Sequence, residues 1–305
     1  MRLLALISKT FTNSYINMGR RNELEYTLHI LQLSLGYMDM RKVALLPILF
    51  ILSVGVTTNA APGNSSVAGS LLEVPQSRIY GGQNAAEGQF PYHVLVLRHA
   101  DGYIAICGGA IISRNYVAST ASCIQVDSNT SYSIRAGTVK FNSGGVEVQV
   151  AEVKIHPEYS SFNNDIALLR LSSPLDFNDN IKPILLGSTE VPEGSSVTIT
   201  GWGVVSSGGL ADVLQYNTEQ ALSHDNCVKR IGKLADSMRC FAKSTGNGIC
   251  DGDFGSPAAY NGVLVGLATF TINDCGNDIP NGFANVVFAR DWIRANSDVD
   301  CTCFA

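Results

Sequence analysis

The sequence predicts an all-β fold built from barrels. Short runs of strand-type composition, such as residues 92–97 and 145–150, alternate with turn clusters at regular intervals. This alternation is typical of barrels. The 29 glycines suit many short strands joined by turns. Removing the first 78 of the 305 residues leaves 227, which falls within the roughly 200–250 residues of a single double-barrel domain.

The N-terminal region has the composition of a secretion signal. The basic pair Arg41-Lys42 precedes an uncharged run over residues 43–56, which small residues follow. A basic flank, an apolar core and a small-residue exit describe a signal peptide. The run is shorter than the roughly 20 residues that a membrane-spanning helix needs. Because Met40 directly precedes the basic pair, we interpret residues 1–39 as an upstream extension or a gene-model artefact, and a genuine long leader is the alternative.

The rest of the chain divides by composition. Residues 40–61 are the predicted signal peptide, and residues 62–78, rich in Gly, Ser, Pro and Ala, are predicted to form a flexible pro-segment. Residues 79–305 form the predicted folded domain. Two glycosylation sequons begin at Asn64 and Asn129, and each is an acceptor only if it is exposed.

The charge of the domain excludes some partners. From residue 79 onward there are 14 Lys+Arg and 22 Asp+Glu, a net charge of −8. This balance gives no electrostatic reason to expect binding to nucleic acid or to an anionic membrane. We therefore expect protein partners.

Several short motifs follow one another after residue 77. They are Arg78-Ile79-Tyr80-Gly81-Gly82, Cys107-Gly108-Gly109-Ala110-Ile111-Ile112-Ser113 with Ala121-Ser122-Cys123, Asn164-Asp165-Ile166-Ala167-Leu168-Leu169, Gly201-Trp202-Gly203, Gly252-Asp253-Phe254-Gly255-Ser256-Pro257 and Asp291-Trp292-Ile293. In type and order these segments resemble the landmarks of chymotrypsin- and trypsin-like serine proteases. The resemblance covers nearly all of the chain from residue 79 to about 293. It implies two six-stranded antiparallel β-barrels and a short C-terminal helix, predicted over residues 288–294.

The resemblance assigns the catalytic triad to three positions, of which one keeps its residue type. In this family a serine attacks the substrate, a histidine relays its proton and a buried aspartate orients the histidine. Asp165 matches the aspartate, whereas Ser122 stands at the histidine position and Phe254 at the nucleophile position. A benzyl side chain cannot attack a carbonyl, and a hydroxyl is no base near neutral pH. We therefore expect a degenerate, non-catalytic protease homologue without a cofactor or metal ion.

No other side chain is a good candidate to replace the missing nucleophile or the missing base. Ser256, two residues past the nucleophile position, is predicted to be a turn hydroxyl bonded to the backbone. Asp165 is expected to be buried and hydrogen-bonded, with Ser122 as a new donor. The Phe254 ring is hypothesised to fill or cover the space that the absent imidazole would occupy. None of the remaining side chains is expected to serve as a displaced base, and this includes His29, His93, His99, His156 and His224.

The resemblance also assigns an oxyanion site and an activation site. The amides of Gly252 and Phe254 are the oxyanion-site remnant. Cleavage between Arg78 and Ile79 would free an α-ammonium group that pairs with Asp253 and orders the surrounding loops. Two interpretations stay open: a conformational switch that creates a binding face, or inheritance without present use.

The specificity pocket is assigned in the same way. Gly248 is its floor, Thr269-Phe270-Thr271 is the strand that would pair with a substrate backbone, and Gly282 is a wall residue. No carboxylate stands at the floor to receive Arg or Lys, and Thr271 is expected to crowd the entrance. Any residual preference would be for apolar side chains.

Eight cysteines in a secreted chain predict disulfides. Their spacing alone does not fix the partners. Two tail residues, Cys301 and Cys303, remain for intermolecular pairing, for a strained local bridge or, with least support, for a metal ion. The family pattern implies the pairs Cys107–Cys123, Cys227–Cys240 and Cys250–Cys275.

These observations predict a secreted pseudoprotease that acts by binding proteins, as a cofactor, decoy or regulator of proteolysis. The expected partners are proteases, their inhibitors or other secreted proteins. An active chymotrypsin-like endopeptidase is the alternative that the fold suggests. A structural secretory protein, crosslinked into a disulfide-linked oligomer through Cys301 or Cys303, is a third.

Overall fold

The computed structural model of the chain describes residues 81–100, 102–124 and 129–300. The predictions that concern the leader, the pro-segment, Asn64, Arg78, Ile79, Cys301 and Cys303 lie outside these residues. Asn129 is exposed in a turn, as a glycosylation acceptor must be. No helix within the described ranges has the length and apolar character needed to cross a membrane.

The predicted two-barrel architecture is confirmed. In chain order the strands are β1 (Gln83–Asn84), β2 (His93–Ala100), β3 (Tyr103–Ile111), β4 (Tyr116–Ser119), β5 (Ser131–Ala136), β6 (Val146–Ile155), β7 (Ala167–Leu171), β8 (Leu185–Leu186), β9 (Ser196–Gly201), β10 (Gln215–Ala221), β11 (Met238–Ala242), β12 (Pro257–Tyr260), β13 (Val263–Phe270) and β14 (Asn281–Asn285).

The first barrel closes in the order β2-β3-β4-β7-β6-β5, and β5 pairs with β2. Alternate residues of its strands point inward, because successive side chains of a strand face opposite sides. Val94, Val96, Ile111, Ile134 and Leu169 are fully buried in one apolar cluster. This core holds β4 and β7 rigidly, and the segments around Ser122 and Asp165 extend from those strands.

The second barrel closes in the order β9-β10-β11-β14-β13-β12, and β12 pairs with β9. Its core includes the rings of Phe241 and Phe283, which pack at a tilt of 45° with centroids 4.7 Å apart. Two short strands extend this barrel: β1 pairs with β10, and β8 runs parallel to β13. The β8 pairing is the one departure from antiparallel order among the described strands.

Two α-helices accompany the barrels. The predicted C-terminal helix spans Val286–Asn296 (α2), longer than residues 288–294 because Asn285 caps it by accepting bonds from two backbone amides. The sequence analysis missed α1, His224–Ile231, which follows the capping residue Ser223. This helix is short, and its only fully buried side chain is Cys227, so its apolar periodicity is weak.

The three disulfides form with the pairing that the family pattern implies. Cys107–Cys123 ties β3 to a 3-10 turn at Ala121–Cys123, and Cys227–Cys240 ties α1 to β11. The third bridge joins Cys250, beside the nucleophile position, to Cys275. Each closed loop reduces the entropy of the unfolded chain.

A close backbone contact joins the barrels beside the candidate site. The amide of Gly108 in β3 donates to the carbonyl of Phe254 at 2.8 Å. A Cβ atom on Gly108 would lie 2.6 Å from the Cα atom of Ser256, which leaves no space for any larger residue. Gly255 has φ +83° and lies against the Gly108 carbonyl. Because Gly108 and Gly255 have no side chains, the loop that carries Phe254 packs directly against the backbone of the first barrel.

Candidate functional site

Ser122 and Asp165 form a closely bonded pair. The amide of Ser122 donates to Oδ1 of Asp165 at 2.6 Å, and the Ser122 hydroxyl donates to Oδ2 at 2.8 Å. Asp165 is fully buried just before β7, whereas Ser122 is exposed at the 3-10 turn. The structure therefore provides the donor that the sequence analysis expected for this buried carboxylate.

The protonation of Asp165 reflects two opposing effects. Burial raises the pKa of its carboxyl, and hydrogen bonds from Ser122 and Thr269 lower it in part. Thr269 is buried in β13 and also accepts a bond from the amide of Ala284 at 3.1 Å. The hydroxyl of Ser122 stabilises the carboxylate, as an imidazole N–H would at this position.

Phe254 lies next to the same turn. Its carbonyl oxygen is 3.3 Å from the Cys123 sulfur, so positions 122 and 254 are neighbours in the fold. Among the described residues, the amides of Gly252 and Phe254 donate to no backbone carbonyl. That these amides form an oxyanion site stays a prediction. That the Phe254 ring fills or covers the space beside Ser122 stays a prediction.

Asp253 is buried and bound to backbone amides. Its carboxyl accepts from Gly203 at 2.7 Å and from Cys250 at 3.0 Å. Burial raises its pKa to about 7, although these bonds act in the opposite direction. Gly203 must be glycine here, because a Cβ atom would overlap the Asp253 carboxyl. The predicted ammonium partner, Ile79, lies outside the described residues.

Two side chains lie against Gly248, the predicted floor of the pocket. A Cβ atom on Gly248 (φ +120°) would lie 2.6 Å from Nδ2 of Asn281 and 2.7 Å from Nζ of Lys243. An amide and an amine therefore border this glycine, and the two side chains occupy the space that an incoming Arg or Lys would need. That no floor carboxylate receives such a side chain stays a prediction.

The assignment of Gly282 as a wall residue stays a prediction. Gly282 pairs with Phe270 and Cys240, and the Phe270 ring lies over it. Because adjacent residues in a strand face opposite sides, Asn281 is the residue that faces Gly248. The Phe270 ring also contacts the exposed Phe162 ring, with centroids 4.9 Å apart.

Glu219 and Lys243 were missed by the sequence analysis. Glu219 is buried in β10, and its Oε1 accepts from Asn281 Nδ2 at 2.7 Å. A sequence signal for Glu219 did exist. It shares the period-two inward face of β10 with Gln215 and Ala221, which are also buried.

A buried histidine lies close to Ser256. His93 Nε2 is 3.4 Å from the Ser256 hydroxyl, and its Nδ1 is 2.7 Å from the Thr200 hydroxyl. The predicted backbone bond of the Ser256 hydroxyl is therefore replaced by this contact with the imidazole. His93 and Ser256 are 3% and 2% exposed, so a substrate cannot reach either side chain. Burial lowers the pKa of His93 to about 3. The pair is structural.

The other described histidines have partners elsewhere. His99 Nε2 is 2.9 Å from the Ser133 hydroxyl, and the His156 ring packs on Trp292 at 4.9 Å. His224 lies 3.7 Å from the carboxylate of Asp236. None of these contacts involves Ser122 or Asp165.

Comparison with known proteins agrees with this architecture. The family model described as Trypsin matches residues 79–293. A serine protease of Anopheles gambiae is 40% identical over 223 residues, which is 72% of this chain and 80% of the relative. Trypsin delta of Drosophila erecta is 35% identical over 74% of this chain and 91% of its own length. Trypsin alpha of Drosophila melanogaster is 33% identical over 76% of this chain and 93% of its own length. The chain belongs to the trypsin family of serine proteases.

Proposed function

We propose that this chain is a secreted, non-catalytic serine protease homologue that acts by binding other proteins. The observation that carries the proposal is the pair of bonds between Ser122 and Asp165, next to the backbone of Phe254. The carboxylate that would orient a histidine is bonded to a serine instead. An aromatic hydrocarbon stands at the position of the nucleophile.

The chemistry of peptide hydrolysis supports the proposal. Acyl transfer needs an oxygen or sulfur nucleophile next to a general base. In a well-studied serine protease, losing either the serine or the histidine costs about 10⁶ in turnover. Here both positions differ, while the two-barrel scaffold and its surface loops are kept. We infer that proteases, their inhibitors or other secreted proteins bind this surface.

An active endopeptidase is the competing function, because the similar proteins carry the names of trypsins and serine proteases. The two functions differ in a direct assay. The purified chain, cleaved after Arg78, is expected to show no turnover of casein and no stoichiometric labelling by a fluorophosphonate probe. A trypsin assayed in parallel is the positive control. Hydrolysis that follows the protein through purification, or one label per chain at Ser122 or Ser256, would contradict the proposal.

Cleavage after Arg78 is expected to act as a conformational switch. The freed ammonium of Ile79 would pair with the buried Asp253 carboxyl, whose present partners are the amides of Gly203 and Cys250. Hydrogen exchange at the loop around Gly252 should slow severalfold after cleavage, because the new charge pair orders it.

The control for the switch is Asp253→Asn, in which cleavage should leave exchange at this loop unchanged. Equal exchange rates in the cleaved and uncleaved parent protein would show that the junction has no switching role. The proposal of a non-catalytic binding function would survive that result.

A further inference from the structure

A cavity of about 450 Å³ opens at the edge of the second barrel. Strands β10 and β11 pair over only two residues of each strand, which leaves a gap between the rest of β10 and the segment after β11. Glu219 and Lys243 line this cavity, with Arg230 and the hydroxyl residues Ser196 and Thr218. None of these residues belongs to the site around Ser122 and Asp165.

Lys243 extends into the barrel wall. The residue is 9% exposed, and its side chain passes along Gly248. Within the described part of the chain, its amine forms no ion pair within 4.0 Å of a carboxylate. A buried amine without a bound counter-ion is inclined to lose its proton.

Glu219 contributes a carboxyl group to the same cavity. It is 1% exposed, and Oε1 is occupied by Asn281. Oε2 is buried and has no hydrogen-bond partner among the described residues. An unpartnered buried polar atom of this kind costs free energy unless a ligand or water meets it. Both Glu219 and Lys243 line the cavity, so a small molecule bound there can meet the two groups together.

The surroundings of Lys243 and Glu219 shift the pKa values of the two side chains in opposite directions. Burial lowers the pKa of Lys243, while Glu219 and Asp278 raise it in part. Burial raises the pKa of Glu219 to about 8, with a further rise from Asp253 and an opposing effect of Lys243. The cationic Arg230 on α1 also lines the cavity. Near neutral pH the carboxyl therefore keeps its proton, and the amine is closer to its free-base form than an exposed lysine.

We propose that Lys243 is a carbonyl-reactive amine that forms an imine with a small anionic aldehyde bound in this cavity, with Glu219 as the proton donor. The free amine attacks the carbonyl carbon, and a C–N bond forms as the C=O π bond opens. One N–H proton passes to solvent and the alkoxide oxygen takes up one, which gives a neutral carbinolamine. The Glu219 carboxyl then protonates the carbinolamine hydroxyl, and the second N–H proton returns to the Glu219 carboxylate as the double bond forms. Water leaves, C=N forms, and no redox partner is needed.

The cavity indicates the class of ligand. Its volume suits a molecule of roughly ten to twenty heavy atoms, within the lower range of small-molecule sites. Arg230 donates one bond to the carbonyl of Asp278 and keeps further donors for an anionic group. The hydroxyl groups of Ser196 and Thr218 can bind additional oxygen atoms.

Pyridoxal 5′-phosphate followed by borohydride is a direct probe, because reduction turns an imine into a stable, mass-detectable secondary amine. At substoichiometric aldehyde and pH 7, we expect the label at Lys243 to exceed that at the exposed Lys182 and Lys229 at least tenfold.

Two variants test the roles of the amine and the acid. Lys243→Arg should lose this label and leave the others unchanged. Glu219→Gln keeps the bond from Asn281 and removes the acid, so the labelling rate at Lys243 should fall roughly tenfold or more.

The pH profile of labelling provides a second, independent measurement on the parent protein. The rate at Lys243 should decline above about pH 8, as Glu219 loses its proton, whereas the rates at surface lysines continue to rise. Equal labelling of Lys243 and the surface lysines, or the same rising profile at all of them, would overturn the proposal. So would an unchanged rate in a folded Glu219→Gln variant.

Discussion

Ser122→His combined with Phe254→Ser is expected to create peptide hydrolysis that, under the proposed function, the parent chain lacks. The backbone amide of residue 122 already donates to Oδ1 of Asp165, and Oδ2 would become free to accept from an imidazole. Position 254 lies beside residue 123, so the new hydroxyl would start close to the new base. The double variant therefore completes a triad on an existing carboxylate.

The expected gain is large because both parts are needed together. General acid–base catalysis by a positioned histidine contributes about 10²–10⁴ in rate, and it needs a nucleophile on which to act. The amides of Gly252 and Phe254, which donate to no backbone carbonyl within the described ranges, are expected to supply the oxyanion site. We expect the double variant, after cleavage at Arg78, to exceed the parent by roughly 10³-fold or more, and either single variant to stay at background.

The substrate for this assay follows from the pocket. Lys243 and Asn281 border the floor at Gly248, so a basic side chain at the cleavage position should be excluded. Peptide esters and amides with small apolar side chains are the appropriate choice.

Two matched controls test whether the gain arises from a triad. Ser122→His with Phe254→Ala has the base without the nucleophile and should be inactive. Adding Asp165→Asn to the active double variant should return turnover to nearly the background of the parent, because the histidine loses its orientation. An inactive double variant that folds, or an active one that ignores Asp165→Asn, would show that the neighbouring positions of residues 122 and 254 do not have catalytic geometry.

The sequence was sufficient for the fold and for the pair at the centre of the site. A disulfide bond or a glycine-rich turn restricts the local backbone to few conformations. Motifs of this kind, such as the cysteines and Gly252–Gly255, therefore have the same local structure in each protein that contains them. Ser122 and Asp165 could be paired because their segments are fixed by those motifs. The bounds of α1 and α2 depend on capping by single side chains, which a short motif does not reveal.

The pocket floor was harder to predict, because it depends on strand phase and long side chains. A shift of one residue exchanges Asn281 with Gly282 on the inner face of β14. Lys243 belongs to no motif and reaches Gly248 only because its flexible side chain crosses the gap beside β11. A sequence pattern does not specify the direction in which such a flexible side chain points.

Glu219→Gln is expected to remove a large pH dependence of stability. The folded pKa of Glu219 is about 8, compared with an ordinary 4.5. A carboxyl whose pKa rises on folding contributes stability that is complete below pH 4.5 and is lost as pH rises toward 8. Glutamine is uncharged throughout and keeps the bond from Asn281. The variant should therefore match the parent near pH 4.5 and exceed its free energy of unfolding at pH 8.5 by about 4 kcal/mol.

Two other buried groups also make the stability of the protein depend on pH. The difference in free energy of unfolding between the variant and the parent is therefore more informative than the pH dependence of either protein alone. Asp253, with a pKa of about 7, lowers stability as pH rises, in the same direction as Glu219. His93, with a pKa of about 3, lowers stability as pH falls below 6.5. The His93 contribution cancels in the difference, and the Asp253 contribution cancels except for its repulsion of Glu219. Urea unfolding of the uncleaved chain at pH 4.5 and 8.5 measures it, with the exposed Glu87→Gln as the control that should show no change. A difference that is the same at both pH values would mean that Glu219 is already ionised inside the barrel.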